Sequence, residues 1–362
     1  MQIRTITCHD VYNHGASLQA YALQTYLESL GHDVRIIDYK PDYLSNHYKL
    51  GAVSNPAYDK PFVKQAYLLA KLPGRLMALK RKRAFDRFTK QYLKLTDRYH
   101  SNEELKKNPP KADVYIAGSD QIWNTLLPNG KDPAFYLDFA PQGKKRITYA
   151  ASFATTDIVD GYKAFVMNML HNLDRISLRE RVSLLLLTSL GRNDGVAVCD
   201  PVFLLSREQW DSLLPSRQTN EKYLLVYDAE SSSILKDVAT SIAAAKKLKI
   251  YSVSAYRQEY CDKNYWASSP LQFVQLIRDA DFVVSNSFHA SAFSVIFERD
   301  FCITNRSEKI NERMKSLLDD LGLTERLVSR FSDDILKPVD YTPVTTKLNT
   351  YIQYSQDYCK NI

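Results

Sequence analysis

The chain has 362 residues and a net charge of +7 at neutral pH, and 45% of its residues are hydrophobic and 25% charged. This composition is typical of a globular protein, and the length predicts two domains of roughly 150–200 residues each. No run approaches the ~18 apolar residues that a membrane-spanning helix needs, and the N-terminus lacks the apolar core and cleavage site of a signal peptide. We therefore expect a cytoplasmic protein.

The cysteines are widely scattered and show none of the spacings of a metal site. They are Cys8, Cys199, Cys261, Cys302 and Cys359. This pattern predicts reduced, mostly buried thiols and no metal ion.

Basic residues are concentrated in one segment. Ten Lys or Arg lie between Lys71 and His100, against only Asp86 and Asp97. A single local patch without a nucleic-acid-binding motif predicts no nucleic-acid partner. Together with the amphipathic stretch that precedes it, the patch makes 62–98 either a solvated helix face or a peripheral contact with the anionic inner face of a membrane.

Residues 1–199 alternate between strand and helix patterns and predict an N-terminal α/β domain. The predicted strands are residues 2–8, 34–39, 113–117, 146–151 and 175–178. Ser17 is predicted to open the first helix, which ends near residue 30, and another helix is expected over 179–191. Residues 40–110 interrupt the alternation and are predicted to be a helical, basic insertion.

A second alternating series begins after Pro201, where the restricted backbone is suited to a crossover between domains. It predicts a C-terminal α/β domain over 200–340, followed by a helix within 341–362 that packs back on the N-terminal domain. The predicted strands are 223–227, 250–253, 281–284 and 301–303, and the predicted helices are 233–248, 270–278 and one ending near 297. The expected fold class is α/β, with two doubly wound, Rossmann-like domains facing a cleft.

Ligands of such sheets bind beyond the carboxyl ends of the strands, so the strand-to-helix turns are the candidate sites. In the turn 9–17, Gly15 permits a close backbone approach, while Ser17 either meets an anion or is an ordinary helix cap. The turn 118–124 carries Ser119, Asp120 and Asn124, which are either functional groups or caps.

Two later turns carry a cation and an imidazole. Arg179 ends a predicted strand, where it either grips a carboxylate or phosphate or pairs with a nearby acid. His289 lies at a predicted helix N-terminus and is either a structural residue or a general base. The polar residues that precede it in the same turn are Ser285, Asn286 and Ser287.

In order along the chain, these segments resemble the polysaccharide pyruvyl transferase family. The matching segments are NHGASLQAYAL at 13–23, GSDQIWN at 118–124, ISLRE at 176–180, DPVFLL at 200–205 and SNSFHASAFS at 285–294. Each segment is short, but the ordered set is much more specific and covers most of residues 1–300.

The resemblance implies a fold similar to glycosyltransferase B enzymes, and transfer of pyruvate from phosphoenolpyruvate onto two sugar hydroxyls as a ketal, without a cofactor or metal. It assigns donor binding to Arg179 and the cleft histidine to His289. The residue types fit this chemistry, with His289 as the candidate base or acid and Asp120 as its candidate partner. Some members carry a second arginine two residues before the histidine, where this chain has Ser287. The neighbouring Ser285, Asn286 and helix amides are candidates to compensate.

The implied acceptor is a nucleotide- or lipid-linked sugar of a bacterial surface-polysaccharide precursor, and a lipid carrier would give the 62–98 segment a role. The candidate substrate-binding residues are Gly15, Ser17, Ser119, Asn124, Arg179, Ser285, Asn286 and Ser287. Two alternatives stay open: a glycosyltransferase with a nucleotide-sugar donor, and a non-catalytic sugar-binding homologue.

Overall fold

Two parallel sheets organise the chain in the computed structural model, which describes residues 1–45, 51, 53, 60, 62–217, 219–306 and 311–362. The first sheet contains β1 (Gln2–Ile6), β2 (Asp33–Tyr39), β3 (Leu95–Tyr99), β4 (Val114–Ala117) and β5 (Lys145–Thr148). Its spatial order is β3-β2-β1-β4-β5. Beyond β5, the strand pair β6 (Ser177–Leu178) and β7 (Val196–Ala197) is joined to this edge by bridges such as Ile147 to Arg175.

The second sheet has the same arrangement of strands, with its first strand in the middle. It contains β8 (Tyr223–Tyr227), β9 (Lys249–Ser252), β10 (Lys263–Asn264), β11 (Phe282–Ser285), β12 (Phe301–Thr304) and β13 (Leu327–Val328). The order is β10-β9-β8-β11-β12-β13, and every pairing is parallel. The chain reverses its direction of travel between β1 and β4 and again between β8 and β11, the points where open α/β sheets bind ligands. The predicted α/β class with two doubly wound domains is confirmed.

Eleven helices are present in the described residues. They are α1 (His14–Ser29), α2 (Val63–Tyr92), α3 (Asn102–Lys107), α4 (Lys163–His171), α5 (Ser183–Ser189), α6 (Arg207–Asp211), α7 (Ser233–Lys246), α8 (Pro270–Asp279), α9 (Phe288–Ile296), α10 (Glu312–Leu321) and α11 (Tyr341–Lys360). In the part of the chain that is described, no helix has both the length and the apolar composition needed to cross a bilayer.

Local chemistry explains where these elements begin and how deeply they lie. All five residues of β8 are buried, as expected for a strand covered on both faces. The side chain of Asn13 accepts from the backbone N–H of Ala16 and caps α1. Ser269 caps α8, where Pro270 at the first helical position needs no hydrogen bond.

Helix α1 joins the two domains. His14 in its first turn stacks on Phe273 of α8, with ring centroids 4.8 Å apart and planes 8° from parallel. Farther along, Tyr21 lies 5.8 Å from the ring of Trp210, which packs at 5.0 Å on Phe293 of α9. One apolar cluster therefore runs from the first sheet into the second. This packing brings the carboxyl edges of the two sheets together.

The C-terminal helix α11 contacts the first domain. The hydroxyl of Tyr358 donates to the carbonyl of Thr148 at the end of β5, at 3.0 Å. The Ser355 hydroxyl accepts from the backbone N–H of Cys199 at 2.9 Å. These bonds place the end of the chain against the first sheet, although α11 itself follows the second.

Three elements differ from the sequence-based expectations. Helix α1 begins at His14 rather than Ser17, because Asn13 provides the cap. The expected helical insertion 40–110 also supplies β3, a half-exposed edge strand with a weak apolar pattern; its residues 46–50, 52, 54–59 and 61 lie outside the described ranges. The helix expected to begin at residue 179 begins at Ser183.

Candidate functional site

Arg179 follows β6, and its guanidinium group is buried among three carboxylates. Nη1 donates to Oδ2 of Asp200 at 2.8 Å, and Nε donates to Oε1 of Glu180 at 3.0 Å. Nη2 lies 3.8 Å from Oδ1 of Asp120 and has no hydrogen-bond partner in the described residues. Burial lowers the pKa of Arg179, but Glu180 and Asp200 raise it by more, so the net shift is upward and the group stays charged.

Asp200 connects Arg179 to the histidine. Its Oδ2 accepts from Arg179, accepts from the Ser119 hydroxyl at 3.3 Å, and lies 3.5 Å from Nε2 of His289. Its Oδ1 accepts from the backbone N–H of Val202 at 3.1 Å. Burial raises the pKa of Asp200, but His289 and Arg179 together outweigh burial and hold it well below its usual value. The carboxylate is therefore ionised beside the imidazole.

His289 lies in the first turn of α9, just beyond the end of β11. Its imidazole is almost entirely buried, with 7% of the side chain exposed. Opposite Nε2, the ring rests against α1: a Cβ atom added to Gly15 would lie only 1.9 Å from Nδ1. Any larger residue at Gly15 would therefore displace the ring or separate the helices. Gly15 therefore permits the close packing of α1 against the imidazole.

Asp120 lies between two arginines. Its Oδ1 is 3.8 Å from Nη2 of Arg179 and 3.7 Å from Nη1 of Arg313. Its backbone φ is +73°, a left-handed conformation that few residues other than glycine adopt. We expected Asp120 to be the partner of His289, but the structure places Asp200 there and Asp120 at the arginine pair.

Arg313, in α10 of the second domain, was not predicted from the sequence. It is buried, its Nε has no hydrogen-bond partner in the described residues, and burial together with the nearby charge of Arg179 lowers its pKa to about 10. The amide group of Gln121 lies 3.0 and 3.1 Å from its two Nη atoms. The sequence contained one signal: Arg313 shares an apolar helix face with Leu317 and Leu321.

The polar side chains before His289 are used to build the turn. The Ser285 hydroxyl donates to the Tyr227 carbonyl at 2.7 Å and accepts from the Ser287 N–H at 3.0 Å. The amide of Asn286 accepts from Ala229 and donates to Asp228, both at 2.9 Å. Both side chains are buried and hydrogen-bonded within the turn, and their expected role in substrate binding stays a prediction. Ser287 is half-buried and makes no side-chain cap bond to α9.

Two further candidates in the first domain form hydrogen bonds within their own segments. The Ser17 hydroxyl donates to the His9 carbonyl at 3.4 Å from inside α1, so it does not lie at an anion-binding helix terminus. The side-chain amide of Asn124 lies 2.8 Å from that of Gln121 and accepts from the Leu126 N–H, and so shapes its own loop. Ser119, in contrast, contacts Asp200 directly.

The arrangement therefore joins two guanidinium groups, one imidazole and three carboxylates at the domain interface. Two guanidinium groups with unused donors suit a ligand that carries two anionic groups. An imidazole held by an ionised carboxylate suits proton transfer. A cavity of about 10 Å³ touches both Arg179 and Arg313 and is sufficient for roughly one water molecule. A larger ligand does not fit in this cavity unless the residues that line it move.

Solved structures with a similar fold have very different sequences. A putative UDP-N-acetylglucosamine 2-epimerase from Listeria monocytogenes has a TM-score of 0.51 at 8% identity, covering 100% of this chain and 91% of that one. UGT89C1 from Arabidopsis thaliana has a TM-score of 0.51 at 10% identity, covering 99% and 98%. At these identities the likeness establishes the fold alone, which is the two-domain glycosyltransferase B type.

The comparison with curated proteins gives no match. The family model described as polysaccharide pyruvyl transferase, however, matches residues 13–307, which contain Gly15, Asp120, Arg179, Asp200 and His289. This range is well over half of the chain and includes every strand of the two sheets except β1 and β13. The chain belongs to the polysaccharide pyruvyl transferase family.

Proposed function

We propose that this protein transfers pyruvate from phosphoenolpyruvate onto two hydroxyls of a sugar in a bacterial surface-polysaccharide precursor, and forms a ketal. The observation that carries the proposal is the pair of buried arginines, Arg179 and Arg313, next to the Asp200–His289 pair. Family membership supports a transferase. The donor, the acceptor and a cytoplasmic location are parts of the proposal.

The donor carries a carboxylate and a phosphate, and two arginines match two anionic groups. The second arginine that some relatives have before the histidine is replaced here by Ser287. We propose that Arg313 takes over this role from a different element, α10. Because the Asp120 carboxylate lies between the two guanidinium groups, the donor has to compete with it for the same place. Asp120 is the most accessible of the three acids, with 16% of its side chain exposed.

The proposed reaction balances without a cofactor. The first sugar oxygen bonds to C2 of the enol while C3 gains a proton, and the second oxygen then bonds to C2 as the C2–O bond to phosphate breaks. One hydroxyl proton ends on C3, and the other leaves with the phosphate. His289 is the proposed proton carrier, and the ionised Asp200 stabilises its cationic form. Asp120, once displaced from the arginines, provides negative charge for the cation-like C2 centre.

The proposed acceptor site is a cavity of about 560 Å³ beyond the carboxyl ends of β1, β2 and β3. Its lining includes four cations and an aromatic ring: Lys40, Lys82, Lys90, Arg98 and Tyr12. Asp10 pairs with Lys40, Asp86 with Lys82 and Asp38 with Arg98, so the four cations exceed these three acids by one charge. A positive cavity with an aromatic wall suits a phosphorylated sugar, whether nucleotide- or lipid-linked.

The test is incubation of the purified protein with phosphoenolpyruvate and a panel of nucleotide-linked and lipid-linked sugars. The proposal predicts donor-dependent phosphate release, and a product heavier than the acceptor by one pyruvate less one water. Release of a nucleotide from a nucleotide-sugar donor would instead identify a glycosyltransferase. Tight sugar binding without turnover would identify a sugar-binding homologue.

A further inference from the structure

Six exposed residues form one continuous face of α2, which we call the α2 stripe: Leu69, Leu72, Leu76, Lys80, Arg83 and Arg87. Because they follow each other at steps of three or four, they align along one side of the helix, over about 27 Å. The three leucines are 69%, 39% and 50% exposed. The stripe is thus apolar in its N-terminal half and cationic in its C-terminal half.

The rest of α2 fixes the orientation of this stripe. On the other side of the C-terminal half, Phe85 and Phe88 are buried, and Arg81 donates to the carbonyls of Tyr12 and Trp266. In the N-terminal half, none of the described side chains between residues 63 and 80 is buried. The helix is therefore anchored at one end and exposes its apolar end to solvent.

The charge of α2 is strongly one-sided. The helix contains nine Lys or Arg and one acid, Asp86. Four of the cations, Lys80, Arg83, Arg87 and Lys90, line a surface groove of about 690 Å³. Exposed leucines followed by cations on the same helix face are the pattern of a helix that lies in the boundary layer of an anionic bilayer.

We propose that the α2 stripe docks this protein on the surface of an anionic lipid bilayer, with the leucines at the acyl boundary and the cations on headgroup phosphates. Charge complementarity favours this occupant. A second copy of the chain would bring like charges face to face, and a nucleic acid would leave the leucines in water. The inference does not depend on pyruvyl transfer, and its test requires no turnover.

The test is cosedimentation of the full chain with vesicles of phosphatidylcholine alone, or with added phosphatidylglycerol. We expect binding only to the anionic vesicles, weakened by salt. Lys80→Glu/Arg83→Glu/Arg87→Glu should lower the partition coefficient on the order of 100-fold, since each surface cation contributes about fivefold. Leu69→Ser/Leu72→Ser/Leu76→Ser should also lower it, and because these side chains are unburied, Tm should not change.

The matched control reverses three exposed lysines near the amino edge of the first sheet: Lys107→Glu/Lys111→Glu/Lys144→Glu. It has the same net charge as the cation variant and should bind vesicles like the wild type. An equal loss of vesicle binding in the control variant would show that net charge alone drives binding, and would overturn the proposal. So would unchanged binding of both stripe variants, or a dimer in light scattering that the leucine substitutions dissociate.

Discussion

Gly15 and His289 meet without a side chain between them: a Cβ atom on Gly15 would lie 1.9 Å from Nδ1 of the imidazole. Gly15 belongs to α1 of the first domain and His289 to α9 of the second. The orientation of the proposed proton carrier is therefore set by how closely the two domains pack. Both residues lie in segments that carry the family resemblance, and the contact gives a physical reason for glycine at this position.

Gly15→Ala should lower activity far more than its effect on the local stability of α1 would predict. The methyl group must displace the imidazole from its present position beside Asp200 or separate the domains, and a displacement of about 1 Å costs roughly 100-fold in rate. Overpacking should also cost about 1–3 kcal/mol of unfolding free energy. Gly74→Ala, where an added Cβ has no neighbour within 4 Å, is the control. Wild-type turnover in Gly15→Ala would refute the assigned contact.

Asp200→Asn should destabilise the fold at neutral pH. The change leaves Arg179 buried with one fewer negative partner, and breaking such a buried pair costs about 3–5 kcal/mol. Urea unfolding measures the loss. Asp334→Asn is the control, since its ion pair with Lys337 is 82% and 75% exposed and should contribute almost nothing.

The stability difference between wild type and Asp200→Asn should depend on pH in one direction. The pKa of Asp200 is lower in the folded protein than in the unfolded chain. Its ionised form therefore adds stability that is complete above about pH 4, and this stability is lost as the pH falls toward the folded value. The difference in unfolding free energy between wild type and Asp200→Asn should shrink as the medium is acidified below pH 4. A difference that grows on acidification would contradict the assignment.

Arg313→Met should abolish activity while it raises the stability of the fold. Burial and the charge of Arg179 lower the pKa of Arg313 to about 10, so its charge costs folding free energy at every pH below that value. We expect Tm to rise by about 2–4 °C while donor-dependent phosphate release is lost. The control Arg326→Met removes another buried arginine, one that donates to the Ile335 and Lys337 carbonyls, and should lower Tm. A large fall in Tm for Arg313→Met would make Arg313 a structural residue.

Asp120→Asn should tighten donor binding and slow turnover. The amide tolerates the left-handed backbone at this position and removes the negative charge that competes with the donor between the two arginines. We expect the Kd for phosphoenolpyruvate, measured by calorimetry, to fall about tenfold, which corresponds to about 1.4 kcal/mol. Turnover should fall because C2 loses its negative partner. Weaker donor binding in Asp120→Asn would show that the donor does not bind between the two arginines.

Much of this site could be located from the sequence, because the carboxyl ends of parallel strands meet at one edge. The turns after β4, β6 and β11 were each expected to be candidate ligand sites, and Asp120, Arg179 and His289 do lie at the domain interface. The sequence pattern could not show which side chains contact each other across the two domains. Asp200 was part of the matching segment 200–205 but had no predicted role, and its contact with His289 depends on the packing of one domain on the other.

Arg313 and the serine-rich turn show two further limits. Arg313 reaches Asp120 from an element that matches no motif, so only its place on an apolar helix face could have drawn attention to it. Ser285 and Asn286 were expected to bind substrate because they are polar, yet buried backbone groups of Tyr227 and Ala229 need partners and take theirs. The sequence gives no measure of which polar side chains the scaffold uses.

The central claim is that Arg179, Arg313 and His289 together move pyruvate from phosphoenolpyruvate to a sugar. The most direct measurement is the mass of the acceptor after incubation with wild-type protein and with His289→Ala. The donor concentrations are chosen so that both proteins have the same fraction of donor bound. The account predicts a gain of one pyruvate less one water with the wild type, and an unchanged acceptor mass with His289→Ala. An equal gain with both proteins would contradict it.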